Sequence, residues 1–497
     1  MGFSFSKSKY CLLWQCPKLV WLEKNHPELK TPDAGREDRF LVGNQVGDLA
    51  MGLFGDFVET TVSKEDGSPN IPAMLEKTRQ CLADGVENIC EAAFSYEGLY
   101  CAVDILRKEK DGYAIYEVKS STGAKEIYGV DIAYQKYVLE HCGIHVTGTY
   151  LVCMNNEYIR GEELDISQLF KVVDMADWVA LEYPNVPRRL SQGQEVMSQT
   201  TEPVCDIGCH CADPYDCAYW EYCSQHLPSP SVMDLFTSIG SGLKHYEKGI
   251  ITFPDALSKM NLNDKQKRQI QHALQPQGDE IDKEGIRNFL KTLSYPIYFL
   301  DFEAIQPTIP PYPNCRPYAQ IPFQYSLHYI LEPGGELMHK EFLAEPGVDP
   351  RRAIAESLCR DIPMHTCVTA YNKAYECTRL NELALLFPDL ADHLLNIRQN
   401  IVDLLVPFRS GYYYNRAMGG SFSIKSVLPA LFPGDPELDY HNLEGIHNGG
   451  EAMNTFPKLA ELPPEEAAVA RKNLLAYCKL DTYAMVKLWE KLLEAAK

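Results

Sequence analysis

Three groups of residues have types and spacings suited to chemistry. The first lies in YPIYFLDFEA, where Asp301 and Glu303 are two apart on a run that reads as a buried strand, so both carboxylates share one face and Phe302 takes the other. Further along, Asn372 precedes Glu376 by four residues, and Tyr477 precedes Asp481 by four on a long helical pattern, one turn apart on one face. The second group is Asp104 followed by Glu117 and Lys119. Two carboxylates with a nearby lysine can hold a divalent ion and stabilise charge during phosphodiester hydrolysis, and Glu91, one strand earlier, can add a carboxylate. The third is CDIGCHCADPYDCAYWEYC, in which Cys211, Cys217 and Cys223 are evenly spaced. Thiolates in such numbers bind zinc or an iron–sulfur cluster. Cys16 in WQCPKLVWLE offers a fourth ligand, with Cys205, Cys209, His210 and Cys11 as competing candidates. Cys81, Cys90, Cys101, Cys142 and Cys153 stand among apolar positions and read as core residues.

Elements must position these groups. NICEAAFSYEGLYCAVDILRKEKDGYAIYEVKSST predicts a three-strand meander with turns at Glu97-Gly98 and Asp111-Gly112. A helix follows, closed by Gly143, and then the strand HVTGTYLVCM. After Tyr295 a fresh αβ pattern begins with PIYFLDFEA, continues through PFQYSLHYI and MHKEFLA, and ends in the helical ARKNLLAYCKLDTYAMVKLWEKLL. The expected fold is α/β and multidomain, with residues 1–230 and 293–497 as domains and 231–292 as a helical connector. The Pro-rich stretch 305–318 reads as an ordered surface loop.

Composition bounds the function. The 497 residues carry 45% hydrophobic and 23% charged residues, ordinary globular material. A net charge of −21 argues against coating nucleic acid by bulk charge but leaves a metal-dependent nuclease open. The first residues are too broken by Gln15, Pro17 and Lys18 for a signal peptide, and no apolar run reaches membrane-spanning length, so a cytoplasmic protein without membrane association is expected. Met1-Gly2 with Ser6 fits a loose acylation pattern that chance explains.

The pattern AVDIL…YEVKSS…AYQKYVL resembles the RecB-like branch of the PD-(D/E)XK nuclease superfamily. That resemblance implies a restriction-endonuclease-like core with Asp104, Glu117 and Lys119 as its active centre and Gln135 as the glutamine of the following helix. Where the branch shows a tyrosine four residues after that glutamine, this chain has Leu139. Where many members carry a metal-binding histidine, it has Gly47, with Asp48 beside it, so a weaker or differently completed metal site is expected. One cysteine before this core and three after it, Cys16 with Cys211, Cys217 and Cys223, resemble the iron–sulfur staple of the same branch, which implies a [4Fe-4S] cluster, with zinc as the alternative.

The order D-x-E, N-x3-acid, Y-x3-D resembles the DnaQ-like 3′→5′ exonucleases, the DEDD class in its tyrosine-bearing form on a ribonuclease H-like fold. It implies Asp301, Glu303, Glu376 and Asp481 as ligands of two Mg²⁺ or Mn²⁺ ions, with Tyr477 orienting water. Asp403 fits an accessory position or a structural one, and Lys425 reads as an exposed lysine with a phosphate contact as the alternative. Glu376 stands where aspartate is usual. The combination resembles an uncharacterised bacterial family joining the two regions. The implied function is phosphodiester hydrolysis of nucleic acid, DNA favoured and RNA open. The alternative is a binding module whose RecB-like half grips without cutting.

Overall fold

The N-terminal meander forms as its alternation dictates. β1 (Phe5–Ser6), β2 (Val58–Glu59), β3 (Asn88–Tyr96), β4 (Leu99–Glu109), β5 (Gly112–Lys119), β6 (Val146–Met154) and β7 (Phe170–Asp174) make one seven-stranded sheet in the order β2-β3-β4-β5-β6-β7, with β1 added in parallel to β4. β3, β4 and β5 are antiparallel; β5 and β6 are parallel and joined by the helix Glu126–His141. The computed structural model describes residues 5–33, 35–276 and 278–497, so Met1 and Gly2 lie outside it.

The crossover helix is buried almost all round, from Ile127 through Gln135, which explains why its sequence is apolar rather than amphipathic. It packs against the helices Lys7–Gln15 and Ala176–Glu182 as well as the sheet. Gly129 permits that approach: a Cβ there would lie 2.6 Å from the Cβ of Trp178. The helix ends as expected, with Gly143 at φ +84° donating its N–H to the carbonyl of Glu140.

The second sheet is built from β9 (Ile297–Ile305), β10 (Ile321–Ile330), β11 (Met338–Leu343), β12 (Cys367–Ala370) and β13 (Ile401–Asp403), in the order β11-β10-β9-β12-β13. β10 runs antiparallel to β9 and to β11, while β12 is parallel to β9 and β13 to β12. A separate two-stranded ribbon pairs β8 (Glu280–Ile281) with β14 (Tyr413–Tyr414). β9 is central and covered on both faces, which matches its unbroken apolar run. One face packs Leu300, Phe302, Tyr325 and Leu327 against the helices Arg351–Asp361, Ala374–Leu386 and Ala391–Gln399. The helix Pro464–Ala495 lies on the opposite face.

Two compact units result: Met1–Ile251 with Thr308–Pro317, and Thr252–Pro307 with Tyr318–Lys497. The helical stretch 231–292 is thus divided between them. Part of the Pro-rich stretch belongs to the first unit and is ordered there by Arg160, which donates its N–H to Cys315 O at 2.9 Å and Nη1 to Pro310 O at 2.8 Å. No described helix is long and apolar enough to cross a membrane.

Candidate active sites and thiol cluster

In the C-terminal unit, β9 presents Asp301 opposite Ser326 and Glu303 opposite Gln324. Three polar contacts seat the long helix on this face. Gln324 Nε2 donates to Leu474 O at 2.8 Å, Ser326 Oγ meets Thr482 Oγ1 at 2.7 Å, and His328 Nδ1 meets the same hydroxyl at 2.8 Å. Asp481 is thereby delivered to the strand acids. One oxygen from each of Asp301, Glu303 and Asp481 lies within 4.8 Å of the others.

Glu376, at the start of the helix Ala374–Leu386, falls outside that triplet. It is buried, and its Oε2 has no hydrogen-bond partner among the described residues. Asp403 takes a structural role: its Oδ1 accepts the N–H groups of Asn372 at 2.9 Å and Leu405 at 3.0 Å. That bond holds Asn372, at φ +64°, in the turn that launches the Glu376 helix.

Crowded acids resist ionisation. Burial, then the charges of Asp481 and Glu303, drives Asp301 well above the carboxylate range. Burial, then Asp481, pushes Glu303 up to about 8. Burial and Asp403 push Glu376 up to about 8. Burial lifts Asp481 to about 6, opposed by the Tyr440 hydrogen bond and the Lys425 charge. Crowded carboxylate oxygens and an orphaned buried oxygen are the donor set of a hard divalent cation.

Tyr477 is 4% exposed, and burial with the Asp481 charge keeps its phenol protonated. Two further groups were not legible from spacing. The Tyr440 hydroxyl donates to Asp481 Oδ1 at 2.6 Å, its ring 5.9 Å from that of Tyr477. Cys478 places its thiol 3.8 Å from Asp301 Oδ2. Tyr440 opens a single 3-10 turn, Tyr440–Asn442, too short for periodicity to single it out; Cys478 is marked only by lying between Tyr477 and Asp481. The ammonium of Lys425 is 5.7 Å and 6.0 Å from the ring centres of Tyr440 and Tyr477. Lys425 and Tyr440 also border a cavity of about 870 Å³.

The N-terminal unit gathers Asp104, Glu117, Lys119 and Gln135 as their pattern predicts, and adds two residues that the sequence reading missed. Lys119 Nζ meets Glu117 Oε1 at 2.5 Å and Asp131 Oδ2 at 3.1 Å. Gln135 Nε2 donates to Glu117 Oε2 at 2.7 Å and Asp131 Oδ1 at 3.0 Å. Asp104 Oδ2 accepts the N–H of Val118 at 2.6 Å. The second addition is Lys7, whose ammonium lies 3.3 Å from Asp104 Oδ1 and 3.3 Å from both Glu117 oxygens. Burial alone would raise Glu117, but Lys119 and Lys7 hold it well below the carboxylate range. Burial, then Glu117, lifts Asp104 to about 6, and burial, then Asp104, lifts Glu91 to about 7. Glu91 occupies the neighbouring strand at φ +55°, where the β3–β4 pairing skips a residue. Among the described residues, no three acidic, histidine or cysteine ligand atoms converge here as they do at Asp301. Asp131 could have been found from its position four residues before Gln135, on the same helix face.

In the same unit Cys16, Cys205, Cys211, Cys217 and Cys223 line one small cavity with His210. The sulfurs of Cys16 and Cys205 are 3.7 Å apart, and Cys205 Sγ is 3.8 Å from His210 Nε2. Gln15 ties the two ends of the cluster together, donating to His210 O at 2.9 Å and Tyr215 O at 2.7 Å. Cys209 turns away, its thiol 3.3 Å from Glu247 Oε2, and Cys11 packs on the main core. Burial, then the adjacent Cys205, pushes the Cys16 thiol up to about 12. Five soft donors around one cavity fit a thiolate-bound metal or cluster. Of the five cysteines expected in the core, Cys81, Cys90, Cys101 and Cys153 are buried. Cys142 is exposed, because it caps the crossover helix at its solvent end.

The sequence model of one family, described as a domain of unknown function (DUF2779), matches residues 298–423. That stretch contains Asp301, Glu303 and Glu376 and stops before Tyr440, Tyr477 and Asp481. Searches of curated proteins and of solved structures give no match.

Proposed function

We propose that the C-terminal unit is a metal-dependent 3′→5′ exonuclease of the DnaQ-like, tyrosine-bearing kind. The observation that carries this reading is the convergence of Asp301, Glu303 and Asp481 within 4.8 Å, with the buried, unpartnered Glu376 carboxylate near enough for its charge to act on Asp301. The sheet supports it: five strands with the second antiparallel to the first and the fourth and fifth added on the other side is the order expected of a ribonuclease H-like fold. Asp301, Glu303, Asp481 and Glu376 would hold Mg²⁺ or Mn²⁺, which supplies Lewis-acid activation of water and charge neutralisation at the phosphate. The Tyr477 hydroxyl keeps its proton at neutral pH and orients water at the phosphate. Tyr440 fixes Asp481 through its 2.6 Å bond. Lys425 adds positive charge beside the rings of Tyr440 and Tyr477, at the border of a cavity of about 870 Å³ that Tyr440 also lines.

For the N-terminal unit the reading is a RecB-like core in which strands and helix follow the order that the superfamily resemblance implies. Cys16, Cys211, Cys217 and Cys223 would hold the cluster or zinc, with Cys205 as a fifth candidate. A second reading, in which this half grips nucleic acid without cutting, is favoured by one observation, the Lys7 ammonium against Asp104 and Glu117.

The test is digestion of 5′-labelled single- and double-stranded DNA and RNA with Mg²⁺ or Mn²⁺. A ladder shortening from the 3′ end is expected, and Asp301→Ala should abolish it. Undiminished degradation by that variant would overturn the assignment.

A further inference from the structure

We propose that Lys7 is a built-in cation of the N-terminal carboxylate site, competing with a divalent ion for Asp104 and Glu117. This rests on the RecB-like reading of that site. Three observations carry it.

The first is contact. One ammonium reaches Asp104 Oδ1 and both oxygens of Glu117, each at 3.3 Å, so the atoms that the sequence pattern assigns to a metal ion already share a positive charge. Glu117 is wholly buried and also receives Lys119 and Gln135, which leaves little room for a further ligand.

The second is charge. Asp104, Glu117 and Asp131, with Glu91 on the neighbouring strand, against Lys119 alone leave an excess of roughly two to three negative charges, of the order a divalent ion cancels. Lys7 cancels one of them. A cation entering beside Lys7 would meet repulsion from an ammonium a few ångströms away in a poorly solvated site.

The third is anchoring. Lys7 is no loose surface side chain. β1 pairs Phe5 with Leu99 and Ser6 with Tyr100, on the strand that carries Asp104. Ser6 caps the helix Lys7–Gln15. Tyr10 on that helix stacks on Tyr134 at 5.0 Å and donates to Glu182 at 2.6 Å, while the Tyr134 hydroxyl donates to Phe5 O at 2.9 Å. The first turn of this helix is therefore held over the carboxylates by buried contacts on both sides.

The experiment is Mn²⁺ binding to the full chain, followed by calorimetric titration and by the electron paramagnetic resonance of free Mn²⁺. An Asp301→Ala/Glu303→Ala background silences the C-terminal acids. In that background, Lys7→Met should bind Mn²⁺ at least about tenfold more tightly than the parent, a difference of about 1.4 kcal/mol. Adding Asp104→Ala should remove the gained site. Equal Mn²⁺ affinity with and without Lys7, with loss on Asp104→Ala, would overturn the competition while leaving the site a metal site. No Mn²⁺ site at Asp104 in either protein would overturn the metal-site reading and the proposal with it. Should Lys7→Met unfold because its acids lose their partner, Lys7→Gln and thermal unfolding give the same decision. Mn²⁺ should then raise the midpoint of the variant and leave the parent unchanged; equal shifts would overturn the proposal.

Discussion

Tyr440 and Tyr477 both stand at Asp481, and their losses should read differently. Tyr440→Phe deletes a 2.6 Å hydrogen bond to Asp481, a metal ligand under the proposed function, so the carboxylate loses its orientation. Supporting groups of this kind typically contribute about 10–100-fold to metal affinity or activity. Mn²⁺ titration should therefore show weaker binding for Tyr440→Phe. Tyr477→Phe keeps the ring in its buried place and leaves the acids intact. Turnover should fall by about 10²–10⁴, the usual worth of a positioning or acid–base group, while Mn²⁺ affinity stays within error. Equal loss of affinity in both variants would remove the distinct role given to Tyr477. At this scale the sequence was informative where regular elements fix spacing, as for Asp301, Glu303, Tyr477 and Asp481. It was silent for Tyr440 and Lys7, because a residue in a single 3-10 turn and a residue 97 positions from its partner Asp104 leave no periodic trace.

The elements that carry these residues make two further predictions. β10 turns Ser326 and His328 toward the long helix, where Thr482 bonds both. Burial, then the neighbouring His339, pushes His328 down to about 3 from its ordinary 6.5. The unfolded chain therefore takes up a proton near pH 6.5 that the folded chain refuses. Stability from this residue is complete above pH 6.5 and is lost as pH falls toward 3, by about 1–2 kcal/mol between pH 6.5 and 5. Denaturant unfolding at pH 7 and pH 5 should show His328→Gln losing less stability on acidification than wild type; identical losses would refute the assignment. The thiol cluster makes the second. Cys16 sits between the helices Lys7–Gln15 and Pro17–Asn25, so a group held there and by Cys217 joins segments about 200 residues apart. Anaerobically purified protein should carry about four iron atoms per chain. Cys217→Ser should lose them and lower the unfolding temperature of the N-terminal unit; Cys205→Ser separates a fifth ligand from a bystander. Stoichiometric zinc without iron would retain the staple and reject the cluster. β9 and the meander were legible because strand alternation and Gly-containing turns are local signals. β1 was not: two residues pairing with Leu99 and Tyr100 carry no pattern of their own.

At the scale of the whole molecule, the formal charge of −21 must be reconciled with the polyanionic substrate that the proposed function requires. Bulk attraction is unavailable, so affinity has to come from local features: a divalent ion at the acids, Lys425 and a recess. Glu303 and Asp481 are each only 8% exposed, and Tyr440 and Tyr477 crowd the same point. A phosphate reaches such acids as part of a chain end that can be threaded in, whereas the middle of a duplex is held away by its own width. This geometry predicts dependence on a free end. Linear DNA with a 3′-hydroxyl should be shortened in the presence of Mn²⁺, a 3′-phosphate should protect it, and a closed circle of the same sequence should survive. Asp301→Ala should leave all three substrates intact. Linearisation of the circle by Asp301→Ala would place cutting in the N-terminal unit, and Lys119→Ala in that background should then abolish it. Shortening from the 5′ end would remove the exonuclease polarity assigned to the Asp301 site.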